Sequence, residues 1–250
     1  MSAPALHTAP DSEAEARLRV DLAAAYRLCA LFGWDDLVFT HISARIPGPE
    51  HHFLINPYGW MFEEITASSL VKVGLDGMTI GASDAMVNPA GFTIHSAVHE
   101  AREDAGCVLH LHTVAGTGVA SQAEGLLPLN QTAMLLNGRI AYHDFEGVAL
   151  DHDERPRLVA DLGDRDVMIL RNHGTLTVGR TVAEAFTAMY FLERACQMQI
   201  AAQAGAPRLP ADPVQAVVES QGKALGFVAD RLVWPALLRR LDRINPGYAD

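Results

Sequence analysis

The run Cys107-Val108-Leu109-His110-Leu111-His112 restricts the fold more than any other stretch of the chain. Its apolar residues suit a strand that is covered on both faces. Two histidines stand in it, two residues apart. Alternate side chains leave one face of a strand, so His110 and His112 point the same way, about 7 Å apart along the backbone. That spacing suits two imidazoles on one divalent cation, each nitrogen about 2.0–2.1 Å from the ion. A third histidine, His173, lies just beyond the apolar run 166–170, in Leu170-Arg171-Asn172-His173-Gly174. We therefore expect His110, His112 and His173 to meet around one metal ion. The plainer reading leaves each histidine satisfied by a local hydrogen bond.

The elements around this strand are legible from pattern. Ser12 with Glu15 three residues on makes a capping box for a helix over 12–32, with Leu18, Leu22, Ala25, Leu28 and Leu31 at helical spacing and Gly33 as its stop. Strands are expected over 37–46, 53–56 and 70–75, separated by Pro47-Gly48-Pro49, by Pro57-Tyr58-Gly59 and by a closing Asp76-Gly77 turn. A helix over 92–102, read as amphipathic with Ile94, Val98 and Ala101 inward, feeds the histidine strand. Further helices are expected over 113–122 and 154–162, a short strand over 140–142, and a hairpin from 166–170 to 175–178 with Asn172-His173-Gly174 at its tip. Thr181 and Glu184 cap a long helix over 181–204. Residues 212–241 read as mostly helical, with Pro213 suited to a first turn and Pro235 to a break. Mixed strands and helices point to one α/β domain over 11–250, in which helices cover a sheet and 205–250 forms a helical tail. Residues 1–10 show no periodicity and read as mobile.

Composition narrows the function classes. The 250 residues carry a net charge of −11, which argues against nucleic acid and anionic membrane surfaces as partners. No apolar run is long enough to span a bilayer, and no secretory pattern opens the chain. The three cysteines, Cys29, Cys107 and Cys196, lack paired spacing and read as buried thiols in a reducing, cytoplasmic setting.

Five segments, taken in order, carry a resemblance to a known family: Thr40-His41-Ile42-Ser43-Ala44-Arg45, Asn56-Pro57-Tyr58-Gly59, Phe92-Thr93-Ile94-His95, His110-Leu111-His112 and Asn172-His173-Gly174. Together they resemble the class II aldolase/adducin family over about residues 11–204. The resemblance implies a three-layer α/β/α fold around a mixed, largely antiparallel sheet, with a divalent metal on His110, His112 and His173. Zinc is the metal of the family's sugar-phosphate aldolases; manganese and iron are the alternatives. It also implies a homotetramer with sites between subunits. Several positions depart from those aldolases. Their acid/base glutamate, four residues before the helix histidine, corresponds to Gly91, since that histidine is His95. Their phosphate-holding serines correspond to Pro89 and Ala90. The asparagine of their Gly-Asn-x-Ser motif corresponds to His41, and a neighbouring subunit's tyrosine falls near Gln131.

These departures favour a carbon–carbon lyase acting on a small, unphosphorylated oxo- or hydroxy-carboxylate, most simply a decarboxylase. A metal held by three neutral imidazoles keeps an open position for a chelating oxygen ligand and serves as an electron sink. Decarboxylation needs a proton donor only after the carbon–carbon bond breaks, so it tolerates Gly91. His41 is the first candidate donor, and Tyr248, on a tail able to reach a neighbouring subunit, the second. Arg45 suits bidentate pairing with a substrate carboxylate. Ser43 suits an anion contact, and Gly59 and Gly91 are assigned to substrate binding from their motif positions. His143, Asp144 and Glu146 are candidates for the pocket rim. The alternatives are an aldolase or epimerase on an unphosphorylated substrate, a non-haem iron oxygenase, and a non-catalytic adducin-like interaction domain.

Overall fold

A computed structural model describes residues 12–81, 85–147 and 152–250. The expectation for residues 1–10 lies outside that range. Seven strands form one sheet in the order β3-β2-β1-β4-β7-β6-β5: β1 (His41–Arg45), β2 (Phe53–Ile55), β3 (Val71–Val73), β4 (Cys107–Leu111), β5 (Ile140–His143), β6 (Val167–Leu170) and β7 (Gly174–Gly179). Only the β5–β6 pairing is parallel. The sheet is therefore mixed and largely antiparallel.

Strand alternation builds a core on each face. In β6, Val167 and Ile169 pack toward α1 (Glu13–Phe32) and α6 (Val182–Ala202), while Met168 and Leu170 pack toward α2 (Pro89–Ala101) and α5 (Arg155–Leu162). Helices thus cover both faces. Full burial of each large aliphatic side chain contributes about 1.5–3 kcal/mol. All five residues of β4 are buried, as an uninterrupted apolar run in the middle of the sheet must be.

The helix ends are set by local chemistry. The Ser12 hydroxyl accepts from the Glu15 N–H, and Gly33 closes α1 in the left-handed region at φ 68°. The Thr181 hydroxyl caps α6 by accepting from the Glu184 N–H. α3 (Val114–Ala120) is capped by Thr113, whose hydroxyl also donates to Glu193, and the short α4 (Gln131–Met134) by Asn130, which accepts from the Ala133 N–H.

One helical reading needs correction. Ile94 and Val98 of α2 are buried as expected, but the helix is not amphipathic: residues 93–99 are all buried and Ala101 is exposed, because His95 and His99 pack against β1 rather than facing solvent. Pro235 falls where the helical pattern changes. After α7 (Asp212–Gly222) and α8 (Leu225–Val228), a π-helical segment over Ala229–Val233 leads directly into α9 (Trp234–Ile244), which starts one residue before the proline. α9 packs against α1, anchored by the Trp234 indole N–H donating to Asp21.

Candidate metal centre

Three elements bring the histidines together at one end of the sheet. β4 ends at Leu111 and presents His110 and His112 on one face, with ring centroids 4.7 Å apart. The β6–β7 hairpin delivers His173, 4.9 Å from the His110 ring and 5.0 Å from the His112 ring. The hairpin tip has specific requirements. Leu170 pairs with Gly174, which leaves three residues in the loop, and Asn172 adopts φ 56°, a conformation asparagine tolerates well. At position 174 a Cβ would lie 2.5 Å from the Leu111 carbonyl oxygen and 3.0 Å from the His112 ring, so only glycine lets the tip approach β4. The tip is held further by the Asn172 N–H on the Ala120 carbonyl and the Thr117 hydroxyl on the His173 carbonyl.

The hydrogen bonds orient two of the rings. His110 Nδ1 lies 3.0 Å from the Thr175 carbonyl oxygen, which can only accept. His112 Nδ1 lies 3.1 Å from an Asp36 carboxylate oxygen. Each Nδ1 is therefore a donor, and each Nε2 is the nitrogen left to bind a cation. Those two Nε2 atoms face each other at 3.0 Å. A hydrogen bond between them would need one ring to hold two protons. Burial, with His173 and His112 beside it, drives His110 strongly toward the neutral form. Burial and His112 likewise lower His173 to about 4. A donor nitrogen from each of the three rings lies within 4.8 Å of the others. Ligand nitrogens around a tetrahedral ion sit roughly 3.3–3.4 Å apart, so this donor set fits a divalent cation with an open position left over.

The histidines line a cavity of about 600 Å³, shared with His41, Tyr58, Pro89 and Asn88 and rimmed by Phe39, Ile94 and Phe145. Among the described lining residues there is no lysine or arginine, and Asp36 is the one carboxylate. His41 pairs with His110 across β1 and β4, so its ring falls on the same face, with centroids 5.4 Å apart. It is buried, and neither ring nitrogen has a hydrogen-bond partner among the described residues. Burial and the neighbouring His112 hold it neutral, lowering it to about 3. The Phe39 backbone opposes this without reaching hydrogen-bond geometry. Gly91 lies directly against it: a Cβ there would sit 2.6 Å from His41 Nε2. The His41 ring thus fills the space that a side chain at position 91 would need.

The other residues singled out from sequence lie elsewhere. Gly59, at φ 93°, shapes the turn beside Tyr58. Ser43, Arg45 and Tyr248 do not line the cavity. The Ser43 hydroxyl is enclosed between His95 and His99. The Arg45 guanidinium donates to the carbonyls of His99, Arg102 and Ala105, which ties β1 to the end of α2. The Tyr248 hydroxyl donates to Asp242, and burial with that carboxylate raises it to about 12. Of the 143–146 loop, Phe145 reaches the rim, while His143 is buried between Asp161 and Glu154 and Glu146 pairs with Arg157. Sequence reading missed Asp36, which orients His112. Its only signal was an acidic pair just ahead of β1.

This architecture is that of a known family. Residues 20–200 match the class II aldolase and adducin N-terminal domain, and the chain belongs to that family. The crystal structure of an aldolase II superfamily protein from Pseudomonas syringae is 52% identical, covers 96% of this chain and 97% of its own, and superposes with a TM-score of 0.91. L-fuculose 1-phosphate aldolase from Glaciozyma antarctica is 30% identical, covers 96% and 98%, and gives a TM-score of 0.82. Alpha-adducin of Rattus norvegicus is 46% identical over 254 residues, covering 94% of this chain but 34% of its own length.

Proposed function

We propose that this chain is a divalent-metal-dependent carbon–carbon lyase acting on a small, unphosphorylated oxo- or hydroxy-carboxylate, with decarboxylation as its reaction. The observation that carries this reading is the convergence of His110 and His112, their Nε2 atoms 3.0 Å apart, with His173 on the wall of one cavity. His110, His112 and His173 would hold the ion. When bound, it supplies Lewis-acid stabilisation of negative charge on a substrate oxygen.

The chain's own residues do the rest. A cavity without lysine or arginine among its described lining offers no charge partner for a phosphate dianion, and Pro89 brings no N–H to the cavity wall. This supports an unphosphorylated substrate. Phe39, Ile94 and Phe145 suit an apolar or aromatic body. His41, on the cavity wall and without a hydrogen-bond partner among the described residues, is the group placed to hold and move a proton at the reacting carbon. Gly91 leaves the place of an aldolase carboxylate to that ring, which favours decarboxylation over aldol cleavage.

Assembly as a homotetramer, with a neighbour closing each cavity mouth, is part of the proposal. Exposed Leu37, Phe39, Val114 and Phe145 at or near the mouth support it. A second reading, a non-catalytic interaction domain, is favoured by the likeness to alpha-adducin over nearly the whole chain. The retained histidine triad argues against it.

The test is CO2 release by zinc- or manganese-loaded protein across a panel of 2-oxo acids and ortho-hydroxyaryl carboxylates. We expect turnover that His41→Ala reduces at least 100-fold, within the range general acid–base groups contribute. No turnover across the panel by metal-loaded protein would refute the lyase reading. Oxygen consumption with bound iron would replace it with an oxygenase.

A further inference from the structure

We propose that a buried hydrogen-bond chain, Ala105 carbonyl–His99–Ser43–His95, fixes the proton on His95 Nδ1 and leaves its Nε2 as a bare acceptor beside the His41 ring. Ser43, His95 and His99 are then positioning residues for the proton-handling group. Only the last link rests on the lyase reading above.

The assignment runs in one direction because the chain starts at a carbonyl. His99 Nδ1 lies 3.0 Å from the Ala105 carbonyl oxygen. That oxygen only accepts, so His99 Nδ1 bears the proton. His99 is buried, and its backbone carbonyl receives the Arg45 guanidinium. Burial and that cation hold its ring neutral, near a value of about 3. A neutral ring with its proton on Nδ1 has a bare Nε2. The Ser43 hydroxyl, 2.7 Å from that Nε2, must therefore donate to it. A hydroxyl has one proton. Having donated it to His99, Ser43 can only accept from His95 Nδ1, 2.6 Å away. His95 Nδ1 is then the protonated nitrogen, and its Nε2 is an unprotonated acceptor.

That Nε2 is buried and has no hydrogen-bond partner among the described residues. The His41 ring stands beside it, with centroids 4.5 Å apart. The bare Nε2 thus stands next to the proton-handling ring, where it presents an acceptor and no donor. A free imidazole favours the opposite form, with the proton on Nε2, so the arrangement at His95 is imposed by the chain. This also gives the burial of Ser43, His95 and His99 a purpose beyond packing, since three fully enclosed polar groups cost stability unless each is satisfied.

Long-range proton–nitrogen correlation spectra of protein labelled with ¹⁵N-histidine read the tautomer directly, with and without added zinc, and need no substrate. We expect His95 and His99 both to carry the proton on Nδ1. In Ser43→Ala, His95 loses the acceptor on Nδ1 and its proton moves to Nε2, while His99, still held by Ala105, does not change. Ser43→Thr keeps the hydroxyl and restores the original form. A proton on Nε2 of His95 in the unmodified protein would overturn the proposal, and that spectrum decides the matter even if a variant fails to fold. An unchanged His95 in Ser43→Ala would overturn it as well. Because the readout is independent of turnover, its failure leaves the lyase reading untouched, and failure of the lyase reading leaves the tautomer result intact.

Discussion

Placing a methyl group at position 91 probes the geometry that separates this site from an aldolase carrying a glutamate there. In Gly91→Ala the new Cβ would meet His41 Nε2 at 2.6 Å and two ring carbons at 2.7 Å. The ring has nowhere simple to go, because it is buried against His95 and His110. Overpacking of this kind costs about 1–3 kcal/mol. Against it, alanine in a helix is worth about 1 kcal/mol more than glycine. The net loss with His41 present is therefore about 0–2 kcal/mol. With His41 replaced by alanine the clash disappears and only the helical gain remains, so the same change should stabilise by about 1 kcal/mol. The two sites should couple by about 1–3 kcal/mol. Urea unfolding of the four metal-free proteins measures this, and in a chain of this size 1 kcal/mol corresponds to about 2–4 °C in Tm. Additivity within about 0.5 kcal/mol would mean that the His41 ring does not occupy the space beside Gly91.

Removing the carboxylate in Asp36→Ala should weaken zinc binding about 10–100-fold in a competition titration with a chromogenic chelator, because His112 loses the group that orients it; unchanged affinity would remove Asp36 from the site. The metal-free fold should lose stability in mild acid. His41 and His99 are lowered to about 3 in the folded state, against about 6.5 in an unfolded chain, so the unfolded state takes up protons first as pH falls. Unfolding free energy should be flat above pH 6.5 with respect to these groups and fall below it, by about 1 kcal/mol per pH unit for each, down toward pH 3. Constant stability between pH 6.5 and 5 would contradict their burial as neutral rings. All three cysteines are buried, and burial raises their thiols, Cys196 to about 12. The native protein should therefore resist a thiol reagent at pH 8 and titrate three thiols once unfolded; prompt reaction of the native form would place one at the surface.

The histidine centre was legible in the sequence because its parts are short and periodic. A two-residue spacing on an unbroken apolar strand sets His110 and His112 on one face whatever the surrounding fold. The Asn-His-Gly tip reads as a hairpin because asparagine tolerates the left-handed region and glycine the close approach to β4. Caps at Ser12 and Thr181 located the starts of two helices to within a residue. What pattern did not carry was the destination of polar side chains. Ser43 and Arg45 alternate along β1, one buried beneath α2 and the other turned to the end of that helix, and nothing in their spacing separates a substrate contact from an internal one. α2 looked amphipathic because histidine counts as polar, yet His95 and His99 are among its most buried residues. Asp36 acts across 76 positions of sequence, a pairing no local signal encodes. The relation of Gly91 to His41 is likewise one of space: a glycine and a histidine 50 residues apart become a single feature only once β1 and α2 are packed.

The central claim is that His110, His112 and His173 hold one divalent ion, and equilibrium zinc binding to the unmodified protein and to His112→Ala tests it most directly. One ion per chain in the former, and its loss in the latter with the fold retained by circular dichroism, is the predicted result. Full occupancy in His112→Ala, or no ion bound by the unmodified protein, would contradict it.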